Sequence, residues 1–276
     1  MAGPFSLRRP AILFGAFMTV ALVSLPARAA AIQEVISPKG VKAWLVEDYT
    51  VPIVTMNVAF RGGAAQDPPG KAGLSNLMSG LLDEGAGDLD SRAFQAKLED
   101  LSINLTFDSS SDAFHGNLRT LKQNADEAFE LFRLAVSEPR LDPEPVERIR
   151  GQVLASIRQA ESNPNEIAGK IWAETLFGDH PYGRPSEGTA ESVAAITADD
   201  LRAFHKRVIA RDNLYVVIVG AIDRNAAAAA LDRMFGGLPL EAELAPVPDV
   251  EPRVGETRHA ALSIPQTSIR IGGAGL

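Results

Sequence analysis

Leu74, Leu77, Met78, Leu81 and Leu82 recur at i, i+3, i+4, i+7 and i+8 within residues 73–85, GLSNLMSGLLDEG. That spacing predicts an amphipathic helix with one buried stripe. Its other face carries Asn76, Ser79, Gly80 and Asp83. This face is small, polar and weakly helix-forming, and a Gly inside a helix costs about 1 kcal/mol relative to Ala. Something other than helix propensity has shaped it.

The flanking patterns supply a framework. Residues 32–36 and 41–47 read as strands around the turn Pro38-Lys39-Gly40. Residues 52–60 form a third, with Val54, Met56, Val58 and Phe60 on one face, so the sheet begins as an antiparallel one. Asp90 is placed to cap a helix over 91–101 whose core side is Phe94, Leu98 and Leu101. Strands over 103–107 and 113–118 follow, joined by the polar run 108–112. Helices are expected over 125–136, 144–160 and 165–177, with Pro139, Pro143 and Pro164 as punctuation. After a loop at 178–188, Thr197 caps a helix over 198–208. The unbroken apolar run 213–219 predicts a strand interior to the sheet, and a helix over 226–235 ends at Gly236-Gly237.

The pattern changes at 238–265, where Pro239, Pro246, Pro248, Pro252 and Pro265 stand among many charges. The stretch reads as a linker, or as a long surface loop. A strand over 267–271 comes next, and a single strand has nothing of its own to pair with. Strand followed by Gly-Gly-Ala occurs at 58–64 and again at 269–274. That echo suggests the opening of a second, similar domain.

Composition narrows the classes. The 276 residues, 46% hydrophobic, suffice for one large domain or somewhat more. Arg8 and Arg9, the apolar run 11–25 and Ala27-Arg28-Ala29 read as a secretory signal over 1–29. The alternative is a membrane anchor, for which so short an apolar run falls below the roughly 20 residues a span needs. Removing the leader takes away three arginines and no acid, so the remainder is more acidic than the chain's formal −8. Such a surface repels nucleic acid and anionic lipid. There is no cysteine, which excludes disulfides and thiolate chemistry. A bacterial periplasm is the expected compartment.

Candidate chemistry is sparse. His115, His180, His205 and His259 are the only histidines, and no two lie within a helical turn. There is no G-x-S-x-G elbow and no phosphate-binding loop. Asp83-Glu84 reads either as an acidic pair or as the acidic end of the 73–85 helix.

The three early strands, the Gly73-Leu74 helix and the loop His180-Pro181-Tyr182-Gly183-Arg184-Pro185 with Gly188-Thr189 resemble the pitrilysin/insulinase zinc peptidases, the inverted zincins. The similarity is greatest to bacterial relatives of the mitochondrial processing peptidase. It covers roughly 32–240. It implies an α+β, metallopeptidase-like fold with a mixed, largely antiparallel sheet packed by helices. The implied organisation is a peptidase-like domain over 30–240, a linker over 241–265 and the first strand of a second domain over 266–276.

In active members the helix carries H-x-x-E-H, two zinc ligands with a general base between them. By that resemblance the first His matches Asn76, the base matches Ser79, and the second His matches Gly80. The later Glu ligand matches Ser156. None of the four replacements makes a zinc site, which needs three protein ligands beside an open position. No metal or catalytic residue is therefore expected in this chain. The resemblance further implies zinc in a homologous partner subunit. An extended peptide substrate would lie along Ile103, Asn104, Leu105, Thr106 and Phe107. The leading expectation, from a family built as two clamshell halves, is a non-catalytic subunit of a periplasmic heterodimeric zinc peptidase that closes the chamber and helps to bind peptide. The alternatives are a peptide-binding or scaffolding protein without proteolysis, and a stand-alone peptidase.

Overall fold

The computed structural model describes residues 31–263 and 265–273. The leader expected over 1–29 lies outside the described residues. In chain order the strands are β1 (Ile32–Ile36), β2 (Lys42–Glu47), β3 (Ile53–Arg61), β4 (Gly85–Ala86), β5 (Leu89–Asp90), β6 (Asn104–Ser109), β7 (Ala113–Leu121) and β8 (Leu214–Gly220). The helices are α1 (Leu74–Ser79), α2 (Ser91–Asp100), α3 (Ala125–Ser137) and α4 (Pro143–Ala160). They continue with α5 (Pro164–Phe177), α6 (Ala190–Ala194), α7 (Ala198–Val208) and α8 (Arg224–Phe235).

Six strands form one mixed sheet in the order β1-β2-β8-β3-β7-β6, while β4 and β5 pair separately. Every pairing in the large sheet is antiparallel except β2 with β8. The sheet does open antiparallel, but β2 and β3 are not neighbours. Strand β8 enters between them, parallel to β2 and antiparallel to β3. Its interior position agrees with its apolar run. Among the described residues the sheet is nonetheless covered on one face only, so Tyr215, Val217 and Val219 are exposed while Val216 and Ile218 are buried.

The alternation of a half-covered sheet explains the strand sequences. Val54, Met56, Val58 and Phe60 of β3 point into the core with Leu105, Phe114 and Leu118. Phe132 and Phe235 come from α3 and α8 to meet them. Phe132 stacks edge-on against Phe235 at 5.8 Å and lies 5.6 Å from Phe107. Gly116 makes room for this cluster, since a Cβ there would stand 3.0 Å from both Phe107 and Phe132. The opposite face is apolar on one side, where Trp44 pairs with Val217, and polar on the other, where Asn117 pairs with Thr106.

The helix caps follow the sequence. Asp90 accepts from Ala93 N at 2.8 Å, and Thr197 and Asp200 form a reciprocal capping box on α7. A second box, Thr189 with Ser192, starts α6, a five-residue helix within a stretch to which the pattern gave no element. The expected linker is bonded to the domain at its start. Arg211 N donates to Pro239 O, Asp212 N to Leu240 O and Glu243 N to Arg207 O. Gln66, buried in the core-side loop, exchanges two bonds with the backbone of Ala245. Residues 267–271, where a strand is expected, are not in a strand, and no described strand pairs with them.

Candidate functional site

The helix over 73–85 is shorter than its periodicity suggests. Leu74, Leu77, Met78, Leu81 and Leu82 are all buried as the stripe predicts, but α1 stops at Ser79 and the chain continues in turns. Gly80 is its C-cap, at φ −74° and ψ 0°. The weak face of the sequence is the place where the helix ends.

Asp67 sets the start of α1. Its carboxylate accepts from the backbone N–H groups of Gly73, Leu74 and Ser75 at 2.8, 3.1 and 3.0 Å. The helix itself supplies no partner for these first-turn donors, although Leu74 N also reaches Lys71 O at 3.1 Å. Burial pushes the Asp67 carboxyl up to about 6, against the downward pull of those three bonds. Ser109 Oγ, at the end of β6, donates to Ser75 Oγ at 2.9 Å. The first turn of α1 is thus stitched to the strand beside it.

The four positions that would hold or serve a zinc ion have other occupations. Ser79 is buried and its hydroxyl turns back to donate to the Asn76 carbonyl at 2.8 Å. A Cβ at Gly80 would stand 3.0 Å from Ile149 Cγ2. Ile149 of α4 therefore crowds the direction in which a side chain at residue 80 would leave the backbone. Asn76 is half-buried and Ser156 is exposed on α4. Among the described residues no group of three or more His, Cys, Asp and Glu is placed to hold a metal ion. This set of residues does not fit a zinc site, which takes nitrogen, sulfur or carboxylate donors in tetrahedral array.

The other candidates are structural. Glu84 binds Arg148 and Ser91 Oγ, each at 2.5 Å. Burial raises its pKa, but those bonds outweigh it and hold the carboxyl below the ordinary glutamate range. Asp83 is bonded to Gln95, and burial with the nearby Glu84 charge raises its pKa. The two acids have separate partners and do not form a catalytic pair. His205 is half-buried in α7, and desolvation lowers its pKa against a hydrogen bond from its Nε2 to Val136 O at 2.8 Å, which ties α7 to the end of α3. His180 Nε2 donates to Pro248 O at 3.0 Å.

The 180–185 loop gathers the surrounding elements. Tyr182 donates its hydroxyl proton to Asp112 Oδ1 at 2.5 Å, which fixes the β6–β7 hairpin. Arg184 Nη1 donates to the carbonyl of Asp67 at 2.9 Å, the residue that caps α1. The sequence singles out this loop; the structure supplies what it holds.

Among the described residues strand β6 is an edge of the sheet. Ser110 N donates to Ala113 O, and Asp112 O accepts from Gly62 N on the β3 side. The alternation of an antiparallel ladder then directs the backbone groups of Asn104, Thr106 and Asp108 toward β7. Those of Leu105 and Phe107 face outward. Ile103 and Leu105 are buried, Asn104 and Thr106 are exposed, and Phe107 is half-buried. The predicted peptide-contact segment is thus an edge strand passing α1.

Residues 42–190 match the family model described as insulinase (peptidase family M16). The chain belongs to the M16 family. Residues 195–273 match the peptidase M16 inactive domain. The non-peptidase homolog YmxG of Helicobacter pylori is 29% identical over 228 residues, covering 83% of this M16 chain and 51% of that protein. The uncharacterized zinc protease ML0855 of Mycobacterium leprae is 34% identical over 116 residues, 42% of this chain and 26% of that one. A solved peptidase M16 inactive domain from Pseudomonas fluorescens superposes with a TM-score of 0.75 at 28% identity, over 80% of this chain and 54% of that one. Pitrilysin superposes with a TM-score of 0.71 at 19% identity, over 82% of this chain and 25% of that one, and bears on the fold alone. The chain spans about half the length of YmxG and of the Pseudomonas structure. Asp67, Ile149 and Gln66 are the site residues that sequence reasoning missed. For Asp67 the available signal was an acid just ahead of the Gly73-Leu74 helix start.

Proposed function

We propose that this M16 chain is the non-catalytic subunit of a two-subunit zinc peptidase of the bacterial periplasm. Zinc belongs to a homologous partner subunit, and this chain closes the chamber and holds extended peptide along β6. The carrying observation is the side chain of Ile149 crowding the direction in which residue 80 would project, in a fold that keeps the α1 and β6 framework. The leader read over 1–29 and the absence of cysteine support the compartment. The free outward backbone groups of Leu105 and Phe107 support the peptide contact, since edge pairing needs no particular side chain.

The test is co-purification and mixing with an exported M16 protein that retains H-x-x-E-H. Peptide cleavage should appear only in the mixture. Chelator-sensitive cleavage by the isolated chain, or no gain on mixing, would overturn the proposal. A second reading, peptide binding or scaffolding without proteolysis, is favoured by the name of the Helicobacter relative, a non-peptidase homolog. It predicts peptide capture by the chain with no activity gained on mixing.

A further inference from the structure

We propose that the groove between α2 and the free edge of β6 selects the peptide held on that edge. It would take one apolar side chain flanked by an acidic and a basic one. This rests on the peptide contact proposed above and adds the side chains that read it.

Helix α2 stands beside the edge, tied to it by the bond from Ile103 N to Leu98 O at 2.8 Å. Phe94 and Leu98 anchor the helix in the core, while Arg92, Ala96 and Glu99 face outward. The groove so formed has a volume of about 620 Å³ and is lined from the helix by Arg92, Ala96 and Glu99 and from the strand by Ile103 and Leu105. Its two walls ask for different things. The strand side offers the unpaired N–H and C=O groups of Leu105, which only another extended backbone satisfies in ladder fashion. The helix side offers an apolar centre at Ala96 with a cation at one end and an anion at the other.

Neither charge is otherwise engaged, since Arg92 and Glu99 enter no ion pair among the described residues. They stand seven positions apart on the helix, about 10 Å along the axis. Side chains on one face of an added strand recur every second residue, at about 7 Å. A central side chain over Ala96 therefore has neighbours two residues away on each side that reach Arg92 and Glu99. With the strand direction held by the backbone ladder on the β6 edge, exchanging the two charged side chains sets like charges together.

The test uses the full chain and fluorescently labelled peptides read by anisotropy. Four peptides suffice: Thr-Glu-Thr-Leu-Thr-Lys-Thr, the same with Glu and Lys exchanged, and each of these with Ala for Leu. One charge order should bind the wild type about fivefold more tightly than the other. Whichever order is preferred, replacing its central Leu by Ala should weaken binding about tenfold. The R92E/E99R double variant should reverse the charge preference, and A96W should abolish the Leu advantage by filling the groove. All three positions are exposed on α2, and near-UV circular dichroism confirms that the variants fold. Binding indifferent to charge order, central residue and both variants would overturn the groove while leaving the edge contact standing. No binding of any peptide to the wild type would overturn both.

Discussion

Gly73 and Gly188 lie backbone against backbone. A Cβ on Gly73 would come within 2.5 Å of the Glu187 carbonyl oxygen, and one on Gly188 would strike the carbonyl of Ala72. Both residues have positive φ, at +89° and +84°. Ser192 completes the junction by donating to Ala72 O at 2.7 Å. Two sequence signals more than a hundred residues apart, Gly73-Leu74 and Gly188-Thr189, are therefore two sides of one contact. It joins the entry to α1 with the entry to α6.

Substituting either glycine by alanine should be severe. The left-handed backbone alone costs about 1–3 kcal/mol for a residue with a Cβ, and the carbonyl clash adds to it. G73A and G188A should each lower the urea midpoint with an unchanged slope. G151A is the control, because its site is open and helical and the change should be neutral or stabilising.

Restoring donors will not by itself restore a metal. The quadruple variant N76H/S79E/G80H/S156E should bind zinc poorly, because Ile149 crowds the side chain of residue 80 and α1 ends before it. Adding I149A should raise the zinc content measured by elemental analysis. Equal zinc uptake with and without I149A would contradict this account of Gly80.

Two buried or bonded acids give opposite pH dependences. Burial pushes up Asp200 as well, but the Lys71 bond at 2.7 Å and the Thr197 cap outweigh it and hold its carboxyl at about 2. Its stabilisation is complete above about pH 4 and is lost as pH falls toward 2. Asp67 is raised to about 6, so its folded form holds a proton more tightly than its unfolded form. Stability tied to Asp67 is greatest below about pH 4 and declines through pH 6, by about 2–3 kcal/mol. D67N should flatten the stability profile between pH 4 and 6, and K71M should flatten it below pH 4. Denaturant melts across that range read both.

Gln66 holds the strap that leaves the domain. Its Oε1 accepts from Ala245 N at 2.8 Å and its Nε2 donates to Ala245 O at 3.0 Å. Leu244 packs over Gly62, where a Cβ would meet it at 2.8 Å. Q66A should accelerate hydrogen exchange at the Ala245 amide and expose residues 241–245 to limited proteolysis. Exchange at the α8 amides should not change.

What the sequence conveys is mostly what periodicity encodes. The alternation in β3, the stripe of α1 and the caps at Asp90 and Thr197 are local patterns, and all appear where expected. The insertion of β8 between β2 and β3 joins segments about 170 residues apart, and no local pattern carries it. Periodicity overstates the length of α1 because Leu81 and Leu82 continue its spacing while packing from turns beyond the Gly80 cap. Asp67 escaped notice because it reaches the helix from six residues away, across Pro68-Pro69, instead of from the N-cap position. The four replaced ligand positions were legible from the motif. The crowding at Gly80 was not, because Ile149 reads as an ordinary core residue of α4.

Trp44 stands half-exposed on the uncovered side of the sheet, paired with Val217, while the other tryptophan, Trp172, sits on α5. Its indole is therefore an intrinsic fluorophore on bare surface. Any body that settles there will strip water from it and shift its emission to shorter wavelength. The protein carries its own optical signal for that event, and a W172F background isolates it without a label.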